Sequence, residues 1–370
     1  MFDLAKAKEA GTYREFKRTS SFGKHVRFES KDLLNLASND YLGIATNRDL
    51  RDEFLKTIAE SDVFFGSGAS RLVYNSSEAF FRLEKWFETR FSKKALLFNS
   101  GYAANLGTIS SLADSRTLFI ADKLIHASMI DALKLSQANF KRYPHGDMGA
   151  LESLLERFHG EFERIVVLTE AVFSMDGDEA DLKKLVALKK NYNNVKLYVD
   201  EAHSFFALHE LGLCKKESLD GDIDYILVTL SKALGGSGAV LLSDEETHDI
   251  LVNSARSLIF STAMPSVDVA WTNFILSRDF SSLRKNLRES IRLLGLSQTQ
   301  ICPFIVGENE KTIALSEKLR TAGYFVAAIR PPTVPQNTAR LRISLRGDIL
   351  PSELERFKEI LDAYSGNLPA

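Results

Sequence analysis

Between about residues 95 and 245 the chain alternates short apolar runs with longer mixed segments. Six runs have the composition of buried strands: "KALLF" (94–98), "TLFIAD" (117–122), "RIVVLTE" (164–170), "VKLYVD" (195–200), "YILVTL" (225–230) and "GAVLLS" (238–243). Between them lie amphipathic stretches such as "HASMIDALKLSQ" and "LKKLVALKK", with apolar residues at helical spacing. Strands alternating with helices predict right-handed crossovers and a mainly parallel sheet with helices on both faces. After about residue 270 the pattern changes. A helical region to about 293 precedes "CPFIVG", the helical "NEKTIALSEKLRTAG" and the strand-like "YFVAAI" and "ARLRISL". A last helix is opened by Pro351 and Ser352 with Glu355 following, which has the form of a capping box. The expected architecture is α/β: an N-terminal segment over 1–45 packing with the small domain, a large domain over 46–270, and a smaller C-terminal α/β domain over 271–370.

Composition narrows the class. The 370 residues are 45% hydrophobic, enough for more than one core. Lysine and arginine number 47 against 49 acidic residues, a formal charge of −2, so no global field draws the chain to nucleic acid or an anionic membrane. Small-molecule partners are expected. The two cysteines, Cys214 and Cys302, form no CxxC pair, which argues against a structural metal or a disulfide framework and fits a reducing cytoplasm. The first eighteen residues are charged throughout, unlike a secretory leader. No apolar run reaches the roughly 18 residues of a membrane span.

In sheets of this kind, sites gather at the carboxyl ends of the strands. "VKLYVD" ends in Asp200, followed by Glu201, Ala202 and His203. That "DEAH" tetrapeptide also occurs in nucleotide-hydrolysing motors, which need a GxxxxGK[ST] phosphate loop. The single Gly-Lys pair, Gly23-Lys24, is followed by His25 and has no strand before it, so the motor reading is set aside. "YILVTL" delivers Lys232, which taken alone reads as a solvated loop lysine. "TLFIAD" leads to His126, and "KALLF" to Asn99, Ser100 and Gly101 at a helix start. A carboxylate, an amine, an imidazole and unpaired helix N–H groups are what pyridoxal phosphate requires. Its aldehyde takes a lysine amine, its ring nitrogen stays protonated opposite a carboxylate, and its phosphate suits a helix N-terminus.

Eight motifs in order resemble the α-oxoamine synthase family. They are "LNLASNDYLGIA" (34–45), "FGSGASRLV" (65–73), "FNSGYAAN" (98–105), "DKLIHASMIDA" (122–132), "TEAVFSMDGD" (169–178), "VDEAHS" (199–204), "TLSKALGGSG" (229–238) and "FSTAMPS" (260–266). These are fold-type I, pyridoxal-phosphate-dependent transferases that condense an amino acid with an acyl thioester and expel carbon dioxide. The resemblance implies that Lys232 anchors the cofactor covalently and carries protons, Asp200 pairs with the ring nitrogen, and His126 stacks on the ring. His203 and Ser174 would meet the phenolic oxygen. Thr229 and the Gly101-Tyr102 backbone would take the phosphate, with Ser261 and Thr262 reaching the phosphate of a neighbouring subunit in a homodimer.

"AIRPPTVPQNTARLRISL" (328–345) discriminates further. Pro331, Pro332 and Pro335 make a stiff extended segment, and Arg340 and Arg342 share one face of the strand that follows, which by itself reads as a solvated edge. The stretch resembles the branch of the family that joins L-alanine to a pimeloyl thioester carried by coenzyme A or an acyl carrier protein. Arg342 would then hold the alanine carboxylate, with Thr333 and Arg14 also touching substrate. Departures from the family pattern at Phe65, Asn75 and Phe80 bear on the acyl group. A glycine-using member of the family, a pyridoxal-free scaffolding subunit and an aminotransferase stand as alternatives.

Overall fold

A computed structural model describes residues 4–9, 13, 15–59, 61, 63–74 and 77–366. The chain divides into two compact units. One combines Met1–Arg51, Ser174–Asp178 and Phe280–Ala370; the other combines Asp52–Phe173 and Glu179–Asp279.

In chain order the terminal unit begins with β1 (Thr19–Phe22), β2 (His25–Phe28) and β3 (Lys31–Asn35). The central unit carries β4 (Lys94–Phe98), β5 (Thr117–Asp122), β6 (Asn139–Tyr143), β7 (Arg164–Glu170), β8 (Val195–Asp200), β9 (Tyr225–Thr229) and β10 (Ala239–Ser243). The terminal unit resumes with β11 (Ile301–Gly307), β12 (Tyr324–Phe325), β13 (Ala327–Ile329) and β14 (Ala339–Ser344).

The central unit is built on one seven-stranded sheet in the order β4-β10-β9-β8-β7-β5-β6. It is parallel except for β10, which runs antiparallel to both neighbours. The six apolar runs all form strands here, because a strand covered on both faces must be apolar at successive positions. β6 has no such run. It is the sheet's edge, and most of its residues are at least partly exposed. Leu96, Phe119, Val166 and Leu227 pack with Ile109 of the helix Gly101–Leu112 and Met129 of the helix Ala127–Leu135. Both helix starts are capped by the residue just before them. Ser100 accepts the Ala103 N–H at 3.1 Å and His126 accepts the Ser128 N–H at 3.3 Å.

The terminal unit holds two small sheets, β1-β2-β3-β12 and β11-β14-β13. "YFVAAI" is split between them: β12 runs parallel beside β3, while β13 pairs with β14. β14 is the middle strand of its sheet, so Arg340 and Arg342 are 4% and 5% exposed rather than solvated on an edge. The cap before the last helix also differs from the expected one. Glu353, not Glu355, turns back to accept the Leu350 N–H at 3.0 Å, and it forms an ion pair with Lys24 at 2.7 Å. Among the described residues no helix is long and apolar enough to cross a membrane.

Candidate active site

The central unit gathers its polar residues at the carboxyl ends of β5, β7, β8 and β9. Asp200 closes β8 and is 5% exposed. Its two oxygens accept the Ala202 N–H at 2.9 Å and the Asn105 amide at 3.1 Å. Both donors are neutral, and no cation of the described residues makes an ion pair with Asp200. A buried carboxylate in that state is matched to a cation supplied from outside the chain, as a protonated pyridine nitrogen would be.

Asn105 belongs to a relay. Its amide nitrogen also donates to Ser128 Oγ at 3.0 Å, and its carbonyl accepts Tyr198 Oη at 2.8 Å. Ser128 Oγ lies 2.8 Å from His126 Nδ1. Since Asn105 and the backbone N–H of Ser128 are both donors, the hydroxyl proton of Ser128 is left for Nδ1, which places the imidazole proton on Nε2. His126 is exposed overall, but partial desolvation of its ring holds it below the usual histidine range, with Asp200 opposing and Lys232 adding to the effect. His126 is therefore a neutral, oriented ring.

Lys232 follows β9 in a loop closed by its own backbone. The Leu230 N–H donates to Gly238 O, the Gly236 N–H to Leu230 O, and the Gly235 N–H to Lys232 O, each at 2.9 Å. Gly238 has φ +91° and lies so near Phe98 that an added Cβ would stand 2.9 Å from its carbonyl oxygen, so only glycine fits. Lys232 Nζ lies 2.8 Å from His203 Nε2. The "DEAH" tetrapeptide is thus divided. Asp200 and His203 serve the site, while Glu201 accepts the Leu213 and Cys214 N–H groups at 2.8 and 2.6 Å and fixes the start of the helix Gly212–Lys216.

At the start of the helix Gly101–Leu112, a Cβ on Gly101 would lie 2.7 Å from Thr229 Cγ2. Helix N–H groups and the Thr229 side chain therefore converge on a cradle that tolerates no side chain at residue 101. The carboxylate, the amine and this cradle together fit pyridoxal phosphate. Gly101→Ala is expected to weaken cofactor binding at least about tenfold, since the helix start must shift to clear Thr229. Absorbance titration of the apoprotein measures it, and unchanged affinity would show that the cradle is not needed. The Tyr102 hydroxyl is occupied by Asp131, leaving its backbone N–H for such a role. Thr262 O accepts from the Asn99 side chain, which keeps Ser261 and Thr262 beside the same strand end.

In the terminal unit Arg342 donates from Nε to Ser174 O at 2.5 Å and from its terminal nitrogens to Asn39 at 2.9 Å and Ser344 at 2.7 Å. All these partners are neutral, so the buried guanidinium has no carboxylate counterpart among the described residues. Ser174 belongs to this unit although it follows Glu170, the end of β7, by only four residues. Thr333 is exposed, and its N–H donates to Arg330 O at 3.1 Å. Arg14 lies outside the described residues, as does Asn75. Of the other departures, Phe65 is exposed, whereas Phe80 is fully buried beneath the Arg71 guanidinium and is a core residue.

Sequence reasoning assigned no role to Asn105, to its partners Ser128 and Tyr198, or to Glu170. Asn105 ends the "FNSGYAAN" motif but sits inside a helix, past the strand end and helix start to which roles were given. Glu170, the last residue of β7, stands directly opposite Asp200 in register and could have been found by applying the strand-end rule to every strand.

Residues 31–361 match the family described as aminotransferase class I and II. A Haemophilus influenzae protein named "Putative 8-amino-7-oxononanoate synthase" is 43% identical over 93% of this chain and 95% of its own length. Among solved structures, a Sphingomonas wittichii serine palmitoyltransferase superposes with TM-score 0.88 at 25% identity, covering 99% of this chain and 97% of its own. An 8-amino-7-oxononanoate synthase from Francisella tularensis gives 0.74 at 26% identity, with coverages of 90% and 98%. Sequence, fold and donor set agree: the chain belongs to the aminotransferase class I and II family and, within it, to the pyridoxal-phosphate-dependent α-oxoamine synthases.

Proposed function

We propose that this enzyme catalyses the 8-amino-7-oxononanoate synthase reaction, joining L-alanine to a pimeloyl thioester with loss of carbon dioxide, as a cytoplasmic homodimer in biotin biosynthesis. The observation that carries the chemistry is the Lys232 amine beside His203, in one unit with a buried Asp200 that forms no ion pair among the described residues. The choice of substrates rests on likeness to the Haemophilus protein and on "AIRPPTVP…TARLR".

When bound, pyridoxal phosphate supplies an aldehyde for the amino acid's nitrogen and a ring that accepts electrons from its α-carbon. Every other task falls to the chain. Asp200 keeps a proton on the ring nitrogen, and Asn105 holds Asp200 in place. His126, fixed by Ser128, presents a neutral face to the ring. Lys232 takes the α-proton and returns it after decarboxylation, with His203 Nε2 within hydrogen-bond reach of its amine. Arg342 offers its charge to the alanine carboxylate, with Thr333 and Arg14 assigned to substrate as well. Ser174 and His203 are assigned to the phenolic oxygen, and the Gly101-Tyr102 backbone and Thr229 to the phosphate.

The surface of the central unit supports the dimer. Phe64, Phe65, Val73, Tyr74 and Phe260 are all more than half exposed, more large apolar surface than a lone chain usually presents. Ser261 and Thr262 directly follow Phe260, as expected of residues that serve a second copy.

Incubation with pyridoxal phosphate, L-alanine and pimeloyl-coenzyme A, or the acyl-carrier-protein thioester, is expected to yield the amino ketone by mass spectrometry with one carbon dioxide per turnover. Product with glycine but not alanine would overturn the choice of amino acid. Amino transfer to pyruvate without carbon dioxide release would overturn the reaction.

A further inference from the structure

Three acidic residues end three adjacent strands: Asp122 on β5, Glu170 on β7 and Asp200 on β8, with β7 in the middle. Their surroundings differ. Asp122 accepts the Leu124 N–H at 2.8 Å, the Gly146 N–H at 3.0 Å and His145 Nδ1 at 3.0 Å. Asp200 accepts Asn105 and Ala202. Glu170, only 3% exposed, has one oxygen, Oε1, with no partner among the described residues. The His126 backbone N–H faces its carboxyl, and Lys232 is the nearby cation.

An orphaned oxygen on a buried carboxylate, between two equally buried carboxylates that have more hydrogen-bond donors, is an expensive place for a third negative charge. The same oxygen costs far less on a neutral acid. We propose that Glu170 is a positioning residue that stays protonated in the folded protein, holding the His126 backbone while leaving Asp200 as the anion that faces the cofactor. The role rests on the reading of Asp200 given above; the protonation state does not. Burial is the largest cause holding the Glu170 carboxyl well above the usual carboxylate range, and Asp200 reinforces it. Lys232 and the His126 N–H oppose it, and Asp122 adds a smaller push in the same direction. Unlike environments for neighbouring acids are the usual way in which a site divides its charge.

The sign of the linkage follows. A carboxyl whose folded value is raised contributes stability below its unfolded value, near pH 4.3, and loses it as pH rises through the folded value. Glu170→Gln is isosteric, neutral and keeps an acceptor for the His126 N–H, so it removes that loss.

Infrared spectroscopy of the purified full-length protein, with and without pyridoxal phosphate, tests the protonation directly. At pH 7 the wild type should show a protonated carboxyl C=O stretch that moves on 13C-glutamate labelling, persists in Glu201→Gln and is absent in Glu170→Gln. No glutamate-sensitive stretch, or one that persists in Glu170→Gln or vanishes in Glu201→Gln, overturns the proposal, and the labelled wild type with Glu201→Gln decides even should Glu170→Gln not fold. Two further readouts address position and linkage. Glu170→Gln should bind pyridoxal phosphate within about threefold of wild type while Glu170→Ala binds more weakly. Its thermal midpoint should gain on the wild type steadily as pH rises above about 5. A more than tenfold loss of cofactor affinity in Glu170→Gln, or a midpoint difference that does not change with pH, counts against the role.

Discussion

Lys232→Ala is expected to lower amino-ketone formation at least about 10³-fold, because one substitution removes both the covalent nucleophile and the proton carrier. The fold should survive. Lys232 lies in a loop closed by backbone hydrogen bonds of Leu230, Gly235 and Gly236, none of which uses its side chain. Far-UV circular dichroism should be unchanged and the rate of product appearance at saturating L-alanine should collapse. A small primary amine such as ethylamine should restore part of that rate, since the missing element is an amine positioned near His203. A variant that works within tenfold of wild type would sink the mechanism.

The largest expected effect on stability lies in the terminal unit. Arg346 is completely buried, donating to both oxygens of Asp348 at 2.9 and 2.7 Å, to Gly23 O at 3.0 Å and to Thr46 at 3.1 Å, with Asp40 at 3.8 Å. Arg346→Met keeps the apolar stem and removes the charge. Asp40, 7% exposed, is then a buried carboxylate without its cation, and breaking such a pair costs about 3–5 kcal/mol. Burial already holds the Asp40 carboxyl above its usual range and Arg346 opposes this. Without Arg346 the folded value rises further, so the stability lost on ionising Asp40 is greater. The deficit should be widest near pH 7 and should narrow as pH falls toward 4 and the acid regains its proton. Urea unfolding of both proteins at several pH values measures it; a deficit below about 1 kcal/mol, or one that widens in acid, contradicts the account.

What could be read from the sequence follows from how each feature is encoded. β4, β5, β7, β8, β9 and β10 were legible because burial on both faces leaves continuous apolar runs. β6 was not: "NFKRY" sits at the sheet edge and has few residues to bury. β1, "TSSF", is short, polar and largely exposed. Asp200, Lys232, His126 and Gly101 could be grouped because parallel topology brings strand ends together whatever lies between them in sequence. The Asn105–Ser128 link obeys no such rule. Its residues come from two helices and meet only through packing, so no spacing announces them. Burial of Arg340 and Arg342 likewise depended on β14 having a strand on each side, which the alternation of residues within β14 does not reveal.

The parallel pairing of β3 with β12 sets an order of events during synthesis. Leu34 and Asn35 pair with Tyr324 and Phe325, nearly three hundred residues later. All seven strands of the central sheet have been synthesised once Ser243 is added, so that sheet can close after they emerge while the N-terminal strands still wait for a neighbour. Until residue 324 leaves the ribosome, β3 is an open edge on a growing chain, and open edges pair with whatever strand they meet. A message truncated between the codons for Ser243 and Tyr324 would therefore release a protein with all strands of its cofactor-binding sheet and an adhesive N-terminus. The C-terminal residues act as the cover of that edge as well as the carriers of Arg342.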